Sequence, residues 1–311
     1  MTLRVGVLGA GGFGRALAMA SARHQHDVVV WSRGGRDLPN TIAVSSDIEA
    51  MRDRDLIFLA VPARHATSAA EQLGRVVDGR HLVVHVSRGL IGEDLKTITT
   101  VLREQTAARR LGALAGPLVA DALADGRPSG AVLGTRFPEV TDMVREAIGG
   151  SEMRVYDTTD VTGVQMASAT VGFLTVILAY AQGVGADAGP LAVMATRGMV
   201  EAARIGATLG AKEQTFLGLA GLGDLLAVVA GDDRLEARIG RAMAQGADPR
   251  HAGEQAGGYF EGFEVAQHMI AHAHRLGIET PISNAFVAVS KGKMSPEQAK
   301  IALMQRRVGT E

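Results

Sequence analysis

Cysteine is absent from the 311 residues. That excludes disulfides, thiolate metal sites and a cysteine nucleophile. An excess of charge is absent too: Lys plus Arg count 32 against 33 for Asp plus Glu, a formal net charge of −1. A general nucleic-acid binder needs a basic footprint, so that class is excluded, although a local anion pocket is not. No Gly-x-x-x-x-Gly-Lys-Ser/Thr run exists, which removes a P-loop. The start of the chain shows no basic stretch, apolar core and small-residue cleavage site, so no secretory signal is expected and the predicted compartment is cytoplasmic. One stretch without a charge, Val161 to Ala186, is long enough to span a membrane. It contains Thr162, Gln165, Ser168, Thr170, Thr175 and Gln182, and its nearest charges are Asp157, Asp160 and Asp187. It reads as a buried central helix, and no membrane partner is expected. His268 and His272 share a helical spacing of four but lack an intervening Glu and a third ligand, so no metal is expected.

What is present is a hydrophobic content of 47% with 21% charged residues and 39 glycines, which excludes disorder. The length suggests two domains. In the first half, apolar runs alternate with helical segments. Strands are predicted at Arg4–Gly9, Asp27–Trp31, Asp55–Val61, His81–Val86, Leu111–Ala115 and Gly130–Gly134. Helices are predicted at Phe13–Arg23, after Asp47, and at His65–Val76. Strands alternating with helices imply parallel pairing in a doubly wound α/β sheet, and continuous apolar runs imply strands covered on both faces. From about Asp157 no comparable strands occur. Helices are predicted at Val161–Gly185, Gly189–Leu209, Phe216–Ala230, Leu235–Gln245, Gly262–Leu276 and Pro281–Val289, with a last one opening at Ser295-Pro296. The expected organisation is a Rossmann-type dinucleotide-binding domain over residues 1–155 and an all-α substrate or dimerisation domain over 156–311. A homodimer is a candidate assembly.

Gly9-Ala10-Gly11-Gly12-Phe13-Gly14 is a G-x-G-x-x-G loop between the first strand and the first helix. The first glycine permits the tight turn, the second admits a pyrophosphate to the backbone, and the third lets helix and strand pack closely. The second strand ends Trp31-Ser32-Arg33, with no acidic residue before Asp37 to hold an NAD ribose and with Arg36 close by. Ser32 and Arg33 suit a 2′-phosphate, so NADP is favoured over NAD.

Several segments in collinear order resemble the bacterial NAD(P)-dependent glycerol-3-phosphate dehydrogenase family. They are the Gly9–Gly14 loop, Trp31-Ser32-Arg33, Val61-Pro62-Ala63, Gly116-Pro117, Gly163-Val164-Gln165, Ala195-Thr196-Arg197-Gly198, the run from Thr215 through Leu225, Phe260-Glu261-Gly262, and Gly277 through Ile282. The resemblance covers almost the whole chain. It implies hydride transfer between a nicotinamide and C2 of dihydroxyacetone phosphate. It also implies that Pro62, Ala120 and Glu261 join the loop residues at the cofactor.

The departures from the family pattern gather on the substrate side. Where the family's long helix reads G-V-E-L-G-G-A-L-K-N, with the Lys as general acid/base, this chain has Val171 at the Lys position and Gly172 at the Asn position. The second family Lys corresponds to Arg88, a poor acid/base at neutral pH. The phosphate-binding S-R-N falls near Arg234-Leu235-Glu236, where Arg234 serves one residue out of register and Glu236 repels phosphate, and the Ser after Gly116-Pro117 is Leu118, whereas Asp224 is kept. The resemblance thus makes Arg88, Asp224 and Ser168 the candidate catalytic groups, with Ser168 three residues before Val171 on the same helical face. Arg88, Gly116, Asp224 and Arg234 are the candidate substrate-binding groups. His65 is a lesser candidate, and Arg197 reads as structural. The predicted function is NAD(P)-dependent reduction of a small carbonyl, either dihydroxyacetone phosphate or an altered, unphosphorylated substrate. The alternative is a nucleotide-binding homologue without turnover, acting as a sensor or partner protein.

Overall fold

The computed structural model describes residues 2–34, 38–231, 233–249 and 251–305. Arg36 and Asp37, weighed above for cofactor choice, lie outside them. The first half contains β1 (Arg4–Leu8), α1 (Gly12–Arg23), β2 (Asp27–Trp31), β3 (Ala43–Ser45), β4 (Leu56–Leu59), α2 (Ala66–Leu73), β5 (Leu82–His85), α3 (Ile98–Gln105), β6 (Arg110–Ala115), α4 (Ala120–Asp125), β7 (Ser129–Thr135), α5 (Pro138–Ile148) and β8 (Met153–Thr158). The second half is helical: α6 (Val161–Gly183), α7 (Ala188–Ala207), α8 (Glu213–Leu217), α9 (Asp224–Val229), α10 (Leu235–Ala244), α11 (Ala252–Gln255), α12 (Gly262–Arg275), α13 (Pro281–Ser290) and α14 (Pro296–Met304).

The eight strands form one sheet in the order β3-β2-β1-β4-β5-β6-β7-β8. Their alternation sorts the core. Val5, Val7, Phe58 and Val84 pack on one face with Leu17 of α1, while Leu8, Ile57, Leu59 and Val83 pack on the other with Leu73 and Ile98. Burial on both faces is why these strands read as continuous apolar runs. The expected parallel pairing holds for every strand pair but one, since β7 runs antiparallel to β6. The link between them holds only the six-residue α4. A parallel return has to carry the chain back across the sheet to the end where β6 begins. Here the chain turns back at the end where β6 finishes, and α4 packs on α1 instead. The edge strand β8 and the three-residue β3 escape the sequence reading because both are largely exposed and lack an apolar run.

Helix α6 is the axis of the second half. It is apolar all round, and 83% of its most apolar window is buried, against α7, α9, α10 and α12. That is the behaviour of a central core helix. Its start is fixed by Asp160, whose Oδ1 accepts from the Gly163 amide at 2.9 Å. Oδ2 accepts from the Lys212 amide at 2.8 Å and from the Thr215 hydroxyl at 2.6 Å. One carboxylate thus caps α6 and ties it to the turn before α8. The predicted single helix Phe216–Ala230 is broken into α8, a π turn at Leu219–Gly223, and α9. The glycine-rich run bends the chain, and the Gly223 amide bonds to the Gly218 carbonyl at 3.0 Å, five residues back. Replacing Asp160 by Ala removes a cap and two further bonds to a buried carboxylate. Urea unfolding should show a loss of about 2–4 kcal/mol; an unchanged midpoint would refute this anchoring role.

Candidate active site

The Gly9–Gly14 loop has the geometry its spacing predicts. Gly9 has φ +109°, and a Cβ there would sit 2.4 Å from the Ala60 carbonyl oxygen. A Cβ on Gly14 would lie within bonding distance of the Gly9 carbonyl, so this glycine sets the close approach of α1 to β1. Gly11 and Gly12 face open space, with nothing within 4 Å of a hypothetical Cβ. Exposed backbone at the N-terminus of a twelve-residue helix is a place for a pyrophosphate. The residues present therefore fit a dinucleotide. Ala120 stands at the first turn of α4, the helix that packs on α1.

Beyond β2, Ser32 turns its hydroxyl onto the Gly34 carbonyl at 2.6 Å, and Arg33 is exposed. Beyond β4, the exposed Pro62 leads into a 3₁₀ turn at Ala63–His65. The His65 imidazole accepts from Arg64 Nε at 3.0 Å. Burial, then the charges of Arg64 and Arg33, lower its pKa and hold it neutral. The Arg64 guanidinium also stacks 3.5 Å over the Tyr259 ring. Sequence reasoning missed both Arg64 and Tyr259, since no motif marks them. Glu261 closes this side of the site. Its carboxylate accepts from the Arg64 amide at 3.1 Å, and Gly89 lies so close that an added Cβ would meet Glu261 at 2.9 Å. Burial pushes the Glu261 carboxyl up to about 7, against the hydrogen bonds from the Arg64 and Ala63 amides.

Opposite stands the charged cluster. Asp224 opens α9 with its side chain fully buried, and it does not cap its own helix. Arg88, in the loop after β5, places Nη2 2.9 Å from Asp224 Oδ2. Arg234, the residue before α10, donates from Nη1 to Asp224 Oδ1 at 2.7 Å. Three residues drawn from three parts of the sequence therefore meet at one point. Burial pushes the Asp224 carboxyl up, while Arg88 and Arg234 pull it down. Arg88 Nη1 is buried without a hydrogen-bond partner. Gly116, at φ +121° after β6, packs beside the π turn that leads to Asp224. Two guanidiniums converge on this carboxylate, and the charge of Glu236, two residues after Arg234, also acts on it. The cluster sits beyond the carboxyl ends of β5 and β6, where open α/β sheets bind ligands.

Other predicted residues are placed less directly. Ser168 and Val171 are both buried on α6, and Ser168 makes no hydrogen bond to Arg88, Asp224 or Arg234. Gly172 is buried, yet a Cβ there would meet nothing within 4 Å, so space remains beside it. One polar cluster was not anticipated. His85 at the end of β5 bonds through Nε2 to Gln165 Oε1 at 2.9 Å, and the same oxygen accepts from the Thr99 amide at 3.0 Å. Gln165 Nε2 donates to the Thr99 hydroxyl at 2.9 Å and to the Val161 carbonyl at 3.0 Å. Burial lowers the His85 pKa to about 4 and keeps it neutral. The available signal was a histidine ending an otherwise apolar strand.

A glycine-rich loop on a mostly parallel sheet, with charged groups from a helical half set over the strand ends, defines the class: an NAD(P)-dependent oxidoreductase. Two family models match, the NAD-dependent glycerol-3-phosphate dehydrogenase N-terminus over residues 33–140 and its C-terminus over 160–300. A glycerol-3-phosphate dehydrogenase of Dechloromonas aromatica is 32% identical over 98% of this chain and 98% of its own length. One from Methylibium petroleiphilum is 31% identical over 99% and 98%. The chain belongs to the NAD-dependent glycerol-3-phosphate dehydrogenase family. The fold is that of the crystal structure of a Coxiella burnetii glycerol-3-phosphate dehydrogenase, with TM-score 0.90 at 23% identity over 98% of this chain and 99% of that one. A ketopantoate reductase from Ralstonia eutropha is a more distant likeness, with TM-score 0.59 at 17% identity over 96% and 99%.

The raised Glu261 pKa has a pH consequence. A carboxyl that binds protons more tightly when folded disfavours the folded state as pH rises from its ordinary 4.5 through about 7. Glu261→Gln should therefore leave stability unchanged below pH 4.5 and raise it at pH 8 by about 2–3 kcal/mol. Thermal melts of both proteins across pH would show the two curves diverging; parallel curves would count against the burial of this charge.

Proposed function

We propose that this chain transfers a hydride between bound NAD(P) and C2 of dihydroxyacetone phosphate or a closely related small phosphorylated carbonyl. The carrying observation is the convergence of Arg88 and Arg234 on the buried Asp224. Two forked guanidiniums converging on one point favour a phosphate-bearing substrate over a neutral ketone. In this reading residues 1–155 hold the dinucleotide and 156–311 supply the substrate groups other than Arg88 and Gly116. Gly9, Gly11, Gly12, Phe13 and Gly14 receive the pyrophosphate. Ser32 and Arg33 favour the 2′-phosphate of NADP, and Pro62, Ala120 and Glu261 border the nicotinamide end. The bound cofactor supplies the hydride.

The chain's own groups do the rest. Arg88 and Arg234 hold the substrate anion and fix the carbonyl relative to the nicotinamide, which is where most of the rate of such a transfer arises. The carbonyl oxygen also needs a proton. Val171 carries none. Asp224 is the candidate donor, because burial raises its proton affinity and the arriving phosphate takes over part of its guanidinium contacts. Ser168 shares the helical face of Val171 and offers a hydroxyl for relay. The reading includes a homodimer, supported by exposed Val193, Leu217 and Leu226 on the helical half; a monomer mass in sedimentation velocity would remove that part.

The test follows absorbance of NADPH and NADH with dihydroxyacetone phosphate. Turnover is expected with both, more efficiently with NADPH. Losing a charge-assisted contact costs about 1.5–3 kcal/mol, so Arg88→Ala and Arg234→Ala should each raise KM at least roughly tenfold. Asp224→Asn should lower kcat and flatten its pH profile. Tight nucleotide binding with no oxidation on this substrate would overturn the proposal and leave either another carbonyl or a nucleotide-binding protein without turnover.

A further inference from the structure

A second basic site lies away from the cofactor loop. A cavity of about 120 Å³ is lined by Arg103, Arg109 and Arg136, by Thr97, Thr99, Thr100 and Thr162, and by apolar side chains. It opens at the start of β6, through Leu111, and at the end of β7, through Arg136 and Phe137. Because β7 is antiparallel to β6, these are the same end of the sheet, opposite to the end that carries the Gly9–Gly14 loop. Ligands of the two sites are therefore separate.

Several arginines of this protein pair with carboxylates, Arg4 with Asp55, Arg54 with Asp27, Arg52 with Glu49 and Arg145 with Asp157, while others such as Arg23 and Arg110 bond backbone carbonyls. No carboxylate lines this cavity. Among the described residues Arg103 and Arg136 have no ion pair, and Arg109 is steered by neutral acceptors, the Thr106 carbonyl at 3.0 Å and the Ala108 carbonyl at 3.4 Å. Three like charges around one hollow repel one another unless an anion sits between them. The first turn of α3 also faces the cavity, through Thr97, Thr99 and Thr100, and adds the positive end of its dipole, while α6, whose start is already capped by Asp160, contributes the Thr162 side chain. The threonine hydroxyls supply uncharged donors. Thr97 Oγ1 lies 2.9 Å from Thr100 Oγ1 and 3.2 Å from Thr99 Oγ1, a cluster whose protons can turn toward a ligand.

We propose that this cavity binds a small phosphate-type oxyanion carrying two or more negative charges, at a site separate from the active site. Forked guanidinium donors, hydroxyls and helix N-termini are the set that recognises phosphate oxygens. The Thr99 rim is joined through Gln165 to His85, three residues before Arg88, so an ion there sits on the polar cluster that fastens α6 to the sheet.

The test uses the full chain and inorganic pyrophosphate as the probe. Calorimetric titration should show binding that weakens as salt is added. In Arg103→Ala/Arg136→Ala, whose changed side chains are exposed and whose fold is checked by circular dichroism, one binding event should weaken at least tenfold. Amide exchange over residues 97–104 should slow on addition of pyrophosphate in the unmodified protein and not in the double variant. Titration curves and exchange rates indistinguishable between the two proteins would overturn the proposal.

Discussion

The Asp224 carboxylate is fully buried, and the contact between the two halves of the chain at the candidate site is arranged around that fact. An ionised carboxylate without partners in such a place costs several kcal/mol, and removing one partner of a buried pair is more damaging than never having made it. The partners come from both halves of the chain. Arg88 belongs to the loop after β5, and Arg234 precedes α10. The contact therefore works as a registry device: the helical half satisfies its buried charge only when it sits correctly over the strand ends. In the proposed reaction the same geometry that completes the ion cluster presents two guanidiniums to an anionic substrate. Glu261 repeats the logic on the other flank. A carboxylate from the helical half accepts the Arg64 amide of the sheet half, and the burial of that acid is tolerated because the junction forms around it.

Helix α6 carries the second constraint. A helix with no polar face cannot choose its own orientation by solvent, so its position is set by the few polar groups it owns. Asp160 sets its beginning through three hydrogen bonds, and Gln165 fixes its rotation by bonding Thr99 and His85 at once. Past those two anchors the buried residues Ser168, Val171 and Gly172 follow the helix as it passes the site. Close approach then does the rest. A Cβ on Gly240 would fall 2.5 Å from the Val176 carbonyl, so α10 lies directly on the α6 backbone, and the backbone before α10 delivers Arg234 to Asp224.

What the sequence made legible follows from how local each signal is. The glycine loop, the strands β1, β2, β4 and β5, and helix α6 were readable because each rests on short-range rules: spacing, apolar runs, caps. The convergence of Arg88, Asp224 and Arg234 was reachable only through family resemblance, because no spacing rule links three positions so far apart. The reversed direction of β7 was invisible, since an apolar run looks the same in either direction. The break at Leu219–Gly223 was misread because its leucines and alanines keep a helical appearance while Gly218, Gly221 and Gly223 remove the side chains that would hold a regular helix together. His85 and Gln165 were present in plain view, but their partnership is a tertiary fact.

The same contrast governs charge. With 32 basic and 33 acidic residues the chain is nearly neutral, and composition rightly excludes a general polyanion binder. Neutrality of the whole says nothing about its parts, because exposed charges more than about 10 Å apart are screened from one another at ordinary ionic strength. What a small anion meets is the local field. At Asp224 two guanidiniums meet one fully buried carboxylate, where each contact is worth more than at the surface. Surface pairs such as Arg52 with Glu49 use up charge with little energetic return. They also neutralise the outside of the molecule, so that the positions where arginine is left without equal opposition stand out as the places where a negatively charged ligand is stabilised.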